Sequence, residues 1–402
     1  MNKSNYSDLS LKLTKQISKK DKKTQGIFFT PPSTIRKNIE CISQYITNNT
    51  RILEPSCGSG EYVFALNAMN PNLNITAIEK NKTIYDSIVE LSQSNIDIKN
   101  EDYLCFGPEE KFDLIIGNPP YFVMKKKEVN KEYYKYFTGR PNMFILFIIK
   151  SLNLLKENGI LSFVLPKNFL NCLYYNKTRE YINETCEILH IFECNEKYIE
   201  TKQGTIVLII RKNIPLNTLL NSKYNLKIND YLIFGIEDTI TKLKNLYGNS
   251  KSLDDLGFKV NIGNVVWNQC KNILTDDNSK TRLIYNSDII NKKMTMKKYK
   301  NKKNYIDKKG ENELVLVVNR GYGAGNYKFE YCLIDCDFEY LIENHLLVIR
   351  HVEAIGKDQL LAKYNLIIKS FASEKTKNFI ALYFGNNAIN AVELKNILPI
   401  DC

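Results

Sequence analysis

The chain has 402 residues, 44% hydrophobic and 25% charged, with a formal charge of +12. These totals suit two or three domains with ordinary cores and exclude a disordered polyelectrolyte. No apolar run reaches the roughly 18 residues of a membrane span, and the N-terminus lacks the apolar core of a signal peptide, so the protein is expected to be cytoplasmic, with no membrane partner.

The ten cysteines form no C-x-x-C pair, which indicates neither a metal site nor a disulfide framework. His190, His345 and His351 sit in no recognisable constellation and read as incidental.

Residues 1–24, polar and lysine-rich, read as a flexible leader. RILEPSCGSG (51–60) opens as a short apolar strand and ends in a loop of small residues. NITAIEK (74–80) is a second strand closing on Glu79, and a third ends near Asp102-Tyr103. FDLIIGNPPY is the fourth, stopped at Asn118-Pro119-Pro120-Tyr121. The spacing predicts an apolar helix over 143–159 halted by Asn158-Gly159. ILSFVLP (160–166) and GTIVLIIRK (204–212) are further buried strands. Strands alternating with helices predict a parallel α/β sheet.

In such sheets ligands bind beyond the carboxyl ends of the strands. Every unusual cluster falls there: Glu54 to Gly60, Glu79, Asp102-Tyr103 and Asn118 to Tyr121. Gly58 and Gly60 allow close backbone approach to a ligand, and Glu79 stands nineteen residues after Gly60, close to the ~20 of an acid that takes ribose hydroxyls. The loop has neither G-x-G-x-x-G nor G-K-[ST], so phosphate cradling is not expected. Glu54-Pro55 suits a cofactor bearing a positive group such as an ammonium.

On these residues, ILEPSCGSGEYV resembles the first motif of the S-adenosylmethionine-dependent methyltransferases. GNPPYF resembles the fourth motif of those that methylate exocyclic amino groups of DNA. QGIFFTPPSTIRKNI (25–39) is similar to the segment that precedes the cofactor loop in the adenine-N6 branch. The likeness covers roughly residues 24–212. It implies a Rossmann-like catalytic sheet over 25–215 and a β-rich α+β target-recognition domain over 216–402. It implies the modification enzyme of a restriction–modification system, a monomer acting on double-stranded DNA alongside a cognate restriction endonuclease.

Carried over by residue, the resemblance places Thr30 and Pro31 at the methionine end of the cofactor. Glu54, Pro55, Cys57, Gly58, Gly60 and Asn118 would line it. Glu79 would hold the ribose, Asp102 the adenine amino group, and Tyr103 and Phe147 would pack beside the ring. The amino nitrogen of adenine is a poor nucleophile because its lone pair is delocalised. Two fixed acceptors, the Asn118 side-chain oxygen and the Pro119 carbonyl, would localise it, with Pro120 holding the turn rigid. A base must be flipped out of the duplex to be reached; Tyr121 would stack on one face and Tyr198 on the other, while Phe122 packs under the loop.

The second half reads as short strands in 253–274, 312–335 and 345–350, then a helix and an extended segment over 388–400. VNIGNVVW and LKNILPI resemble target-recognition domains. NRGYGAGNY offers Asn319, Arg320, Tyr322 and Asn326 to base edges and phosphates. Residues 291–310 hold nine lysines, of which Lys297 and Lys298 are candidate phosphate contacts. Release-factor glutamine and ribosomal RNA methyltransferases share a similar turn, but the former carry their extra domain before the sheet. A DNA cytosine-N4 enzyme would more often show Ser or Asp at position 118.

Overall fold

The computed structural model describes residues 6–401 except 195, 197, 200, 202, 213–219, 321–326 and 385–387. The chain divides into two compact units, Met1–Ile240 and Thr241–Cys402.

The first unit begins with α1 (Asp8–Gln16) and α2 (Lys19–Gln25). Ser7 and Ser18 cap them, each accepting a backbone N–H of the first turn. Leu13 and Ile17 pack with Phe29 and Ile84. The segment expected as a flexible leader is therefore ordered from Tyr6 onward, because its sparse apolar residues share one helical face and its serines satisfy the helix starts.

Next come α3 (Pro32–Ile42), β1 (Arg51–Glu54), α4 (Glu61–Met69), β2 (Asn74–Ile78), α5 (Lys82–Asp86), β3 (Ile96–Lys99) and β4 (Phe112–Gly117). They are followed by α6 (Met143–Leu154), β5 (Leu155–Pro166), α7 (Asn176–Thr185), β6 (Cys186–Cys194) and β7 (Thr205–Lys212). The seven strands lie in the order β3-β2-β1-β4-β5-β7-β6. All neighbours are parallel except β7, which runs antiparallel to β5 and β6. Helices cover both faces: α6 buries Phe144, Ile145 and Ile148 with Phe112, Ile115 and Phe163, while α3 and α4 bury Ile39 and Leu66 with Ile52 and Ile75. Strand order reverses between β1 and β4, which creates a crevice at their carboxyl ends.

The expected 143–159 helix stops at Leu154, because Leu155 pairs with Phe112 and starts β5. Asn158, at φ 62°, and Gly159 then make an irregularity inside that strand rather than a helix end. Neither β6 nor α7 was expected, although CEILHIFEC carries strand-forming residues.

The expected boundary at 215/216 falls among residues outside the description. The first unit continues well past it, through the hairpin β8 (Asn225–Ile228) and β9 (Tyr231–Phe234). That hairpin docks on α7: Leu232 N–H donates to Asn176 Oδ1 at 2.8 Å, and Arg179 Nε donates to Leu232 O at 2.5 Å.

The second unit is β-rich. One antiparallel sheet orders Phe258–Ile262, Leu346–His351, Val315–Asn319 and Tyr331–Ile334. Another joins Leu274–Thr275, Tyr305–Ile306, Thr281–Ile284 and Tyr340–Ile342. Helices Lys357–Phe371, Glu374–Tyr383 and Ala391–Asn396 complete it, the first two unexpected from the sequence. Among the described residues no helix is long and apolar enough to cross a membrane.

Candidate functional site

Four strand ends converge on one cavity of about 280 Å³. Of the residues expected at the cofactor, Pro55, Gly58, Glu79, Asp102, Tyr103, Asn118 and Phe147 line it. Thr30, Glu54 and Cys57 line a smaller void of about 30 Å³. Phe28, Phe29, Ser56, Gly58 and Asn118 border both, so the two adjoin. Pro31 and Gly60 line neither. Pro31 precedes α3, and Gly60, at φ 78°, turns the loop into α4.

The loop after β1 is held from both sides. Cys57 N–H donates to Ile78 O at 2.9 Å, and Gly58 N–H donates to Glu79 Oε2 at 3.0 Å. Glu79 Oε1 accepts Asn81 N–H at 2.7 Å. Burial pushes the Glu79 carboxyl up to about 7 despite these donors. Glu54 is 2% exposed and its Oε2 has no hydrogen-bond partner among the described residues. Burial, then the carboxylates of Glu79 and Glu61, push its pKa well up. A buried carboxylate oxygen without a donor is costly, and a cation in the adjoining void would relieve it.

On the far side, Asp102 accepts Leu104 N–H at 2.9 Å and pairs with Lys80 at 2.8 Å. Burial alone would raise its pKa; Lys80 and that N–H hold it below the usual value. Tyr103 packs against Phe147 with ring centroids 4.7 Å apart and the planes tilted at 48°, and its hydroxyl, 2.8 Å from Ser151 Oγ, is anchored in α6.

Asn118 follows β4 at the centre of the crevice. Its Nδ2 donates to Phe28 O at 3.1 Å. A carbonyl can only accept, so this contact fixes the amide with Oδ1 on the opposite side. The Asn118 carbonyl accepts from Ser56 Oγ at 3.1 Å, which ties the turn to the cofactor loop. Tyr121 does not present a free ring: its hydroxyl lies 2.6 Å from Asn118 Oδ1 and 2.7 Å from Val164 O, and its ring meets Phe144 edge-on at 5.9 Å. Burial, then Tyr198, Cys194 and Tyr62, raise its pKa well above the ordinary phenol value. Tyr198 is buried, 6% exposed. Pro119 is buried and Pro120 and Phe122 are half-buried, the last two on the cavity wall.

The sequence reading missed how much of this wall comes from the N-terminal helices. Thr24, Gln25 and Gly26 line the cavity, and Gln25 Oε1 accepts from Asn81 at 3.0 Å. Ser10 Oγ lies 2.8 Å from Ser59 Oγ and donates to Glu61 at 2.7 Å. The capping serines were the available signal.

In the second unit, Lys297 and Lys298 are exposed. Asn319 is engaged locally: its Nδ2 donates to Lys328 O at 2.6 Å and its Oδ1 accepts Glu330 N–H at 2.8 Å. Arg320 is half-buried, and its N–H donates to His345 O at 3.0 Å. Tyr322 and Asn326 lie outside the described residues.

The sheet order and the cavity at its switch point define a Rossmann-like α/β fold with a ligand-sized crevice. The Eco57I restriction-modification methylase family matches residues 60–199. The type II methyltransferase M.CvrRI of Paramecium bursaria Chlorella virus XZ-6E is 28% identical over 98% of this chain and 98% of its own length. The modification methylase CviBIII of Paramecium bursaria Chlorella virus NC1A is 28% identical over 99% of each. A putative class I S-adenosylmethionine-dependent methyltransferase from Listeria monocytogenes superposes with a TM-score of 0.44 at 18% identity, covering 51% of this chain and 65% of that one. The chain is therefore similar, over nearly its whole length, to restriction–modification DNA methyltransferases. The methyl donor that a methylase of this kind calls for is S-adenosylmethionine. The residues present fit that group: an orphaned buried carboxylate for its ammonium, acids at two strand ends for its hydroxyl and amino donors, and an aromatic pair for its ring.

Proposed function

We propose that the enzyme methylates the N6 amino group of an adenine flipped out of double-stranded DNA, as the modification enzyme of a restriction–modification system. The observation that carries this reading is Asn118, whose amide is oriented by Phe28 O so that Oδ1 faces away from that carbonyl and meets a hydroxyl donor. An acceptor so placed suits an N–H donor of an incoming amino group.

When bound, the cofactor supplies an electrophilic methyl carbon on a positively charged sulfur. Glu54 would hold its ammonium, Thr30 the methionine portion, Glu79 the ribose hydroxyls and Asp102 the adenine amino group, with Tyr103 and Phe147 packed beside the ring. Asn118 Oδ1 and the Pro119 carbonyl would each accept one amino hydrogen of the target, drawing the nitrogen lone pair out of conjugation and aiming it along one direction. The aimed nitrogen would take the methyl group as the carbon–sulfur bond breaks and its electron pair returns to sulfur, and the extra proton would pass to water. No general base with a tuned pKa is called for. Tyr121 and Tyr198 would hold the base by stacking.

The test is transfer of labelled methyl to unmethylated duplex DNA with nucleoside analysis of the product. Wild type should yield N6-methyladenine, and Asn118→Ala should lose at least 100-fold in rate, about the cost of misplacing a reacting group. Label recovered as N4-methylcytosine, or in protein or RNA, would sink the adenine assignment.

A further inference from the structure

In the second unit the ammonium of Lys302 stands over three rings at once. It is 4.7 Å from the ring centroid of Tyr285, 5.3 Å from that of Trp267 and 5.7 Å from that of Tyr299. The rings belong to one small apolar cluster with Leu283 and Ile306. Ring faces carry negative potential, so they attract a cation.

The backbone around this cage is tied as well. Tyr285 donates its hydroxyl to Lys303 O at 2.7 Å, and Arg282 donates to Asn304 O at 3.0 Å. Asn304 Nδ2 donates to Lys297 O at 2.7 Å, and Tyr299 donates to Asp288 at 2.7 Å. A stretch whose composition suggests a floppy loop is thus pinned at five positions between 297 and 304.

Lys297, Lys298 and Lys300 lie within and beside these ties and are exposed. Among the described residues none of the three makes an ion pair, and nearby acids are engaged with other cations: Asp288 with Arg282, Asp276 with Lys303, Asp307 with Lys280. Fixing three uncompensated ammoniums on one short stretch works against their mutual repulsion. A run of regularly spaced anions reverses that balance, and a nucleic-acid backbone is such a run.

We propose that Lys302, held in its aromatic cage, is a positioning residue that presents Lys297, Lys298 and Lys300 as a preformed contact for the phosphates of duplex DNA. The inference rests on the DNA reading above. The caged ammonium does not itself touch the duplex. It spares the loop the ordering cost that binding would otherwise carry, and the contact adds affinity without reading sequence.

The test is the salt dependence of full-chain binding to a labelled duplex, in which each phosphate contact contributes about 0.9 to the slope of log affinity against log salt. Lys298→Met should lower the slope by about 0.9 or less. Trp267→Leu removes no charge, yet should lower it by about 2, because several lysines lose their placement together. Lys302→Met, which leaves all three rings in place, should lower it by more than Lys298→Met does. An unchanged slope in Trp267→Leu, or a fall in Lys302→Met no larger than that in Lys298→Met, would overturn the proposal. If Trp267→Leu does not fold, judged by loss of the second unit's melting transition, Lys302→Met decides alone. Wild type that shows no salt-dependent duplex binding would sink the underlying DNA reading instead.

Discussion

Asn118 and Tyr121 occupy each other in this structure. The tyrosine hydroxyl sits on Asn118 Oδ1 at 2.6 Å, the oxygen proposed to receive the target amino group. Base insertion then has to break that contact, and it would free the Tyr121 ring from its edge-on packing against Phe144. The hydroxyl and the ring are separable by mutation. Tyr121→Phe keeps the stacking face and releases Oδ1, leaving Val164 O without its donor at a cost of about 1 kcal/mol in stability. Its KM for DNA should fall several-fold with kcat little changed. Tyr121→Ala should lose the stacking, about 1–3 kcal/mol per base, and raise KM by roughly tenfold or more. Steady-state kinetics on one duplex separates the two; equal losses in both variants would show that the hydroxyl is needed for turnover rather than opposed to it.

At the scale of elements, the sheet was legible because its strands are short apolar runs whose polar punctuation falls on one end. Glu54, Glu79, Asp102 and Asn118 could be placed from sequence for that reason, and each borders one or both of two adjoining cavities. The N-terminal helices were not legible. LSLKLTKQI carries few apolar residues, and only contact with Phe29 and Ile84 makes Leu13 and Ile17 a buried face. Tyr121 likewise read as a free stacking ring because hydrogen bonds spanning 43 residues leave no trace in a local pattern.

The helix pair ends on Gly26, whose φ of 68° is in the left-handed region. A β-carbon there would lie 2.7 Å from Tyr121 N and 3.0 Å from Pro120 Cβ. Gly26→Ala should therefore displace the Asn-Pro-Pro-Tyr turn by a few tenths of an ångström, besides a backbone penalty of about 1–2 kcal/mol. The expected outcome is a fall in kcat on the order of tenfold, with the Kd for S-adenosylmethionine changed much less. Parallel titration and single-turnover assays would check it; equal loss of both would reduce Gly26 to a general structural role.

Over the whole molecule, each unit has its own apolar core, the first around α6 and the sheet, the second around Val317, Ile334 and Val348. The second unit also contains a buried ion pair, Arg282 with Asp288 at 3.1 Å, their side chains 3% and 1% exposed. Asp288 accepts Tyr285 N–H at 2.9 Å as well, so one carboxylate organises the start of the lysine-rich loop. Removing one partner of such a pair leaves a charge in low dielectric, at about 3–5 kcal/mol. Arg282→Met should therefore lower the melting of the second unit by about 10 °C while the first keeps its transition. S-adenosylmethionine, proposed to bind in the first unit, should raise that transition alone, since a ligand stabilises what it binds. Calorimetry of wild type and Arg282→Met, with and without S-adenosylmethionine, reads both effects. Two separating transitions, one moved by the mutation and the other by the cofactor, are expected. A single transition shifted by both would mean that the two cores unfold as one, so that the ion pair supports the catalytic sheet as well as the loop beside it.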